Sequence, residues 1–77
     1  MTEPNFVDLS GMKCPMPIVE MNRLVKELAA GAELTVRADD PAFELDVASW
    51  CRRTGHELVR MESSPPHLSA TIRKKKD

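Results

Sequence analysis

The chain has 77 residues, of which 42% are hydrophobic and 30% are charged. A chain of this length forms one domain at most, and so small a domain has no room for a deep substrate cavity. Twelve acidic and eleven basic side chains leave a formal net charge of -1, which disfavours a protein that mainly coats a nucleic-acid backbone. No apolar stretch approaches the roughly 18 residues of a membrane span, and the two cysteines are too few for a disulfide scaffold. We therefore expect a cytoplasmic protein with reduced thiols and no signal peptide.

Charge is unevenly distributed along the chain. Residues 1–51 carry nine acidic and four basic side chains, whereas residues 52–77 carry three acidic and seven basic ones. Such a basic segment is usually a solvated surface, although it leaves the docking of a partner open. Binding of single-stranded nucleic acid would require aromatic side chains among the basic ones, and the chain has only two phenylalanines and one tryptophan. We therefore rank direct nucleic-acid binding well below binding to another protein.

The first elements in chain order are a short strand and an amphipathic helix. Residues 6–9 alternate around Asp8 and run into Ser10-Gly11, a pattern that predicts a strand followed by a turn. The next apolar residues are spaced as one stripe of a helix: Ile18, Met21, Val25 and Leu28. Gly31 stands where a left-handed residue is expected to cap the end of this helix.

A second strand and a second helix follow. Alternating apolar residues predict a strand with one buried face: Leu34, Val36 and Ala38. In Asp39-Asp40-Pro41, an aspartate N-cap and a proline at the first helical position predict a helix start. The apolar stripe of this helix consists of Phe43, Val47, Trp50 and Cys51. Gly55 is expected to end it.

Residues 58–62 and 68–73 are predicted to be two closing strands, and residues 74–77 a solvated basic tail. The order βαβαββ predicts an α/β (α+β) two-layer sandwich, with a mixed four-stranded sheet and two helices on one face. Residues 1–77 then form a single domain whose ordered body extends from about residue 6 to residue 73. Loops that follow parallel strands gather at the carboxyl edge of the sheet, so segments 10–17 and 39–41 are expected to meet.

The turn before the first helix contains Cys14-Pro15-Met16-Pro17. Pro15 at the first helical position and Pro17 in the first turn stiffen the helix start and leave Cys14 as the N-cap. Cysteine is a poor structural cap, which points to a chemical reason for its presence. The helix N-terminus and the neighbouring Lys13 favour the thiolate, so we expect the pKa of Cys14 to lie below that of a free cysteine. The alternative, in which Cys14 is a small buried residue between two elements, stays open.

These residues resemble the TusA/SirA-like sulfur carrier family. The resemblance extends from Val7 to about Lys74 and is carried by the run of residues 7–17, by Asp39-Asp40-Pro41, and by Asp46, Trp50 and His56-Glu57-Leu58. One departure is Ser10, where many members of the family have arginine. The loss of that charge is expected to weaken anion holding or to alter partner choice, without touching the sulfur chemistry.

The resemblance implies that Cys14 carries a persulfide. The sulfur would come from an upstream donor of the cysteine desulfurase or rhodanese type and would be relayed to an acceptor protein, as in tRNA thiolation, molybdenum-cofactor sulfuration or sulfur oxidation. It implies a sulfurtransferase-type carrier rather than a stand-alone enzyme, with no cofactor beyond the covalent sulfur and no metal. We expect transient protein partners, no membrane association and a monomer. Residues assigned to the helix-start scaffold and to thiolate activation are Gly11, Lys13, Pro15, Pro17, Asp39, Asp40 and Pro41.

Two methionines flank the cysteine on this turn, Met12 and Met16. Ordinary packing against the core and an exposed contact patch for a partner are equally compatible with their positions. Thioether side chains suit adaptable docking surfaces, so both residues are candidates for partner docking.

The sequence gives less support to other functions of the cysteines. Cys51 lies well inside the second helix and is expected to be a buried core thiol, out of disulfide reach of Cys14. Cys14, Cys51, His56 and His67 contain no close pair of the kind that structural zinc sites use, and we expect His56 to be a solvated cap residue and His67 a loop residue. A dithiol redox protein would need a Cys-x-x-Cys spacing. A regulatory or interaction module, in which the Cys-Pro-x-Pro turn is only structural, remains the main alternative to a sulfur carrier.

Overall fold

A computed structural model describes residues 5–76. The elements follow the predicted order: β1 (Phe6–Asp8), α1 (Met16–Val25), β2 (Glu33–Ala38), α2 (Phe43–Thr54), β3 (Glu57–Ser64) and β4 (His67–Arg73). The four strands form one sheet in the order β1-β2-β4-β3. β1 runs parallel to β2, whereas β4 is antiparallel to both β2 and β3. The prediction of a mixed four-stranded sheet with two helices is confirmed.

The core lies between one face of the sheet and the two helices. Every second residue of β2 is buried, and these residues pair with the inward residues of β4: Leu34 with Ile72, Val36 with Ala70 and Ala38 with Leu68. Both helices contribute to this same cluster, α1 through Met21 and Val25 and α2 through its predicted stripe of Phe43, Val47, Trp50 and Cys51. Since one cluster contains side chains from both helices, they cover the same face of the sheet. No helix within residues 5–76 is long and apolar enough to cross a membrane.

α1 is shorter than predicted. It ends at Val25, so the last predicted turn and the cap at Gly31 were wrong. Gly31 does adopt a left-handed conformation, with φ of 86°, but it lies in the connection to β2. Its backbone N–H donates to the Lys74 carbonyl at 2.9 Å, and the Lys74 N–H donates to the Ala32 carbonyl at 2.8 Å. Gly31 therefore extends the pairing of β2 with the end of β4 instead of capping the helix.

The start of the basic tail is hydrogen-bonded to the body, which the sequence did not predict, whereas Lys75 and Lys76 are exposed as predicted. Besides its backbone pairing, Lys74 donates from Nζ to the Leu28 carbonyl at 2.8 Å. The backbone N–H of Lys75 donates to Nδ1 of His56 at 3.1 Å. Asp77 lies outside the described residues. These bonds supply donors to the Leu28 and Ala32 carbonyls and to the His56 ring nitrogen.

α2 begins at Phe43, two residues later than predicted. Pro41 lies in the preceding turn, where Asp40 Oδ1 accepts the Ala42 N–H at 3.0 Å and the Asp40 carbonyl accepts the Phe43 N–H at 2.9 Å. Ala42, and not an aspartate, occupies the N-cap position. The predicted end is confirmed, because Gly55 is left-handed with φ of 89° and donates its N–H to the Cys51 carbonyl.

Both histidines differ from their predicted settings. The His56 ring is partly buried and lies 5.2 Å from the Trp50 ring, centroid to centroid, so it is not a solvated cap. His67 is the first residue of β4 and not part of the loop. Its Nε2 lies 3.1 Å from Nη2 of Arg37 on the neighbouring strand. Strand pairing and aromatic stacking place these side chains, and neither is visible in local sequence.

Candidate functional site

The turns that follow β1 and β2 meet at one edge of the sheet, as predicted from the parallel pairing of these strands. The backbone N–H of Gly11 donates to Asp39 Oδ1 at 3.0 Å. The backbone N–H of Cys14 donates to Asp40 Oδ2. Two consecutive aspartates after β2 therefore bind two amides of the turn after β1, which joins the predicted site residues into one structure.

Asp8, the last residue of β1, begins this turn. Its Oδ1 accepts the Ser10 N–H at 3.0 Å and the Ser10 hydroxyl at 2.6 Å. These hydrogen bonds lower the pKa of Asp8 by stabilising its charged form. Gly11 follows with φ of 93°, a conformation that L side chains rarely adopt, and no atom lies close to the position of a Cβ there. Gly11 is therefore needed for its backbone conformation and not for space.

The N-cap of α1 is Pro15, so the predictions of Cys14 as N-cap and of Pro15 as first helical residue were wrong by one position. Met16 is the first helical residue, and Pro17 lies buried in the first turn as predicted. The peptide bond between Cys14 and Pro15 is cis. Cys14 lies one residue before the N-cap, and its own amide is bound by Asp40 from the other turn.

The thiol of Cys14 is exposed and donates a hydrogen bond to a carboxylate of α2. The distance from Sγ to Asp46 Oδ2 is 2.9 Å. This hydrogen bond raises the pKa of Cys14, with further contributions from desolvation and from the negative charges of Asp46 and Asp40. The prediction that Lys13 and the helix N-terminus lower the pKa was therefore wrong for the free chain. The carboxylate is in contact with the sulfur, whereas Lys13 donates no side-chain hydrogen bond within residues 5–76.

Asp46 was not among the predicted site residues, although a signal for it exists in the sequence. It lies three residues after Phe43 and four before Trp50, both of which are fully buried. Residues at these spacings share a helix face, so Asp46 is a carboxylate at the margin of the buried face of α2. Its position in the first turn brings it to the same sheet edge as Cys14.

Most of the remaining predicted site residues surround a shallow cleft beside Cys14. The cleft has a volume of about 210 Å³ and is lined by Gly11, Met12, Lys13, Asp39, Asp40 and Pro41. The two methionines differ in their environment. Met12 packs against the core, whereas Met16 on the first turn of α1 is 48% exposed. Met16 is therefore the one that presents apolar surface next to the cysteine.

Cys51 is separate from this site. It is 6% exposed within the core, and burial raises the pKa of its thiol. Both cysteines are free thiols. Among residues 5–76, no group of three or more His, Cys, Asp or Glu side chains is arranged to hold a metal ion.

Comparison with known proteins gives concordant matches over nearly the whole chain. A family model described as sulfurtransferase TusA matches residues 5–74. The sulfur carrier protein TusA of Pseudomonas putida (strain F1) is 36% identical over 76 residues, which cover 99% of this chain and 95% of that protein. A putative sulfur carrier protein of Aquifex aeolicus is 35% identical over 72 residues, but the match spans only 36% of that longer protein.

A solved structure supports the fold independently. The crystal structure of a SirA-like protein from Desulfitobacterium hafniense superimposes with a TM-score of 0.78 and covers 92% of this chain and 97% of that one. At 22% identity, this similarity concerns the architecture of two helices on a mixed four-stranded sheet.

Proposed function

The chain belongs to the TusA sulfurtransferase family, and from this premise we propose that it is a cytoplasmic carrier that holds sulfur as a persulfide on Cys14 and passes it to an acceptor protein. The observation that carries the proposal is the contrast between the two cysteines. Cys14 is exposed at a turn built from two strand ends, whereas Cys51 is enclosed in the core. Only Cys14 is open to another protein's sulfur in the folded chain.

The transfer is a thiol exchange that conserves oxidation state. Cys14 Sγ attacks the outer sulfur of a persulfide on the donor, a new S–S bond forms at Cys14, and the donor's S–S bond breaks. The donor cysteine leaves as a thiolate and takes up the proton that Cys14 has lost. The same exchange in the next complex, with an acceptor thiol as the nucleophile, unloads the carrier.

The surroundings of Cys14 suit a carrier whose partners complete the site. The adjoining cleft is shallow and is lined by one lysine, two aspartates and small or apolar residues. Met16 offers exposed apolar surface for a transient contact. We propose a donor of the cysteine desulfurase or rhodanese type, and tRNA thiolation, molybdenum-cofactor sulfuration and sulfur oxidation are all compatible destinations for the sulfur.

Intact-mass spectrometry tests this function. The wild-type chain, Cys14→Ser and Cys51→Ala are incubated with a cysteine desulfurase and free cysteine, and in parallel with inorganic polysulfide. We expect the mass of one added sulfur atom in the wild type and in Cys51→Ala, removable by a thiol reductant, and no addition in Cys14→Ser.

The polysulfide incubation does not depend on docking of a donor protein. It therefore shows whether Cys14 can accept sulfur even if the chosen desulfurase does not bind this chain. An adduct that survives Cys14→Ser would contradict the assignment of the carrier residue. The absence of an adduct from the wild type in both arms would favour the alternative of a non-catalytic interaction module.

A further inference from the structure

The Asp46 carboxylate is in direct contact with the sulfur that the carrier is proposed to use. Asp46 Oδ2 and Cys14 Sγ are 2.9 Å apart. A sulfur atom can donate this hydrogen bond only while it keeps its proton. A thiolate in the same position would face a like charge, and Asp40, which binds the Cys14 backbone, adds a second negative charge nearby.

In the part of the chain that the structure describes, no positive side chain pairs with these carboxylates. Within residues 5–76, no salt bridge involves Asp40 or Asp46. At this sheet edge, the charged residues of the turns and helix starts are Asp8 at the end of β1, Lys13 on the cysteine turn, Asp39 and Asp40 after β2, and Glu44 and Asp46 in the first turn of α2. Glu20 on α1 pairs with Arg23, and Arg52 and Arg53 lie in the last turn of α2. The immediate surroundings of the thiol are therefore predominantly acidic.

We propose that Asp46 is a positioning residue that holds Cys14 as a less reactive thiol, and that the sulfur donor presents a positively charged group to Asp46, which speeds the attack by Cys14. This inference rests on the proposed function and adds the kind of partner surface that fits the site. Leu45, the residue before Asp46, is 76% exposed and adds apolar surface to the same turn of α2. The thiol of the free carrier is thereby slowed in its reaction with other electrophiles.

A lysine or arginine of the donor pairs with the Asp46 carboxylate, which weakens its hydrogen bond to the Cys14 thiol. Cys14 releases its proton and attacks the outer sulfur of the donor persulfide, and the donor thiolate that leaves takes up that proton. One S–S bond forms and one breaks, so neither an oxidant nor a reductant is required.

The rate of alkylation tests whether Asp46 lowers the reactivity of the Cys14 thiol. Cys51→Ala serves as the parent, which leaves Cys14 as the single cysteine. At neutral pH, Asp46→Asn is expected to react with iodoacetamide about fivefold faster, the order of effect of removing one unit charge next to an exposed anion. Its rate profile should also move to lower pH, a change that a general loosening of the structure would not produce.

Two variants serve as matched controls. Glu44→Gln removes an exposed carboxylate from the same first turn of α2, whereas the sulfur bonds to Asp46, and it should change the rate little. Asp46→Glu keeps a carboxylate and should stay close to the parent. Equal or slower alkylation in Asp46→Asn, with an unchanged pH profile, would overturn the proposal.

Reagents of opposite charge test the preference for a cation. The parent should react faster with trimethylammonioethyl methanethiosulfonate than with sulfonatoethyl methanethiosulfonate. The ratio of the two rates should fall several-fold in Asp46→Asn and much less in Glu44→Gln. An unchanged ratio in Asp46→Asn would show that Asp46 does not select for a positively charged partner.

The failures of the two proposals are distinguishable. If Cys14 takes up sulfur but Asp46→Asn alters neither alkylation nor reagent preference, the carrier function stands and the role of Asp46 is lost. If Asp46→Asn accelerates alkylation but Cys14 takes up no sulfur from desulfurase or polysulfide, the carrier function fails.

Discussion

The indole N–H of Trp50 donates a hydrogen bond to the Asn22 side-chain oxygen at 2.7 Å. Trp50 is fully buried on α2, whereas Asn22 lies on the exposed side of α1, so this bond ties the two helices together. A buried indole N–H that loses its acceptor is left without a partner, and this costs more than the net gain from an average hydrogen bond. Asn22 therefore has a structural role although the helical pattern places it on the polar side of α1.

Removal of this acceptor should destabilise the fold. Asn22→Ala is expected to lower the free energy of unfolding by about 1–3 kcal/mol, whereas Asn22→Asp retains an acceptor oxygen and should lose less. Urea denaturation followed by the fluorescence of the single tryptophan measures both. Equal stability of Asn22→Ala and the wild type would show that water replaces the amide.

A side chain at Gly55 should strain the end of α2. Gly55 has φ of 89°, and a Cβ would lie 3.3 Å from Cδ of Lys75, so Gly55→Ala is expected to cost about 1–2 kcal/mol. Gly11→Ala is the matched comparison, because its φ is 93° but nothing lies within 4 Å of the added carbon. Thermal melting of both separates backbone strain from the lysine contact, and a neutral Gly55→Ala would contradict the left-handed cap.

Substitution by serine should affect the stability of the fold differently at the two cysteines. Cys14→Ser is expected to change stability by no more than about 1 kcal/mol, because the site is exposed and a hydroxyl can still donate to Asp46. Cys51→Ser places a hydroxyl in the core and should cost about 1–3 kcal/mol. Denaturant unfolding compares them directly. A large loss in Cys14→Ser would give the cysteine turn a structural role.

His56 should make stability depend on pH. Burial, followed by the charges of Lys75 and Lys74, lowers the pKa of His56 in the folded chain. The unfolded chain therefore binds a proton more readily, so the contribution of neutral His56 is present above about pH 6.5 and is lost as the pH falls through the lowered pKa. The free energy of unfolding should fall between about pH 7.5 and about pH 5.5 more in the wild type than in His56→Asn. Parallel pH profiles for the two proteins would rule out this contribution.

Local periodicity in the sequence predicted much of the fold. The alternation of Leu34, Val36 and Ala38 predicted β2, and the helical spacing from Phe43 to Cys51 predicted the buried stripe of α2. These patterns are reliable because each depends on which side of one element faces the core. The parallel order of β1 and β2 then placed the two turns at one edge.

Local periodicity could not predict two features, the end of α1 at Val25 and the pairing of Gly31 with Lys74. Both depend on the last strand reaching the beginning of β2, a contact between residues far apart in the chain. Local helix propensity competes there with strand pairing, and the pairing prevails because it provides partners for backbone groups at the end of the sheet.

The sequence by itself determined the order of elements, the core stripes and the burial of Cys51, because residue type and spacing act within single elements. Only the tertiary structure decided which group lies next to the Cys14 thiol and shifts its pKa. Its hydrogen-bond partner, Asp46, is 32 residues away, and α2 brings the two together only when it packs beside α1. The charge that reaches a sulfur atom depends on distance in space, so the carboxylate on α2 outweighs the lysine next to Cys14 in sequence.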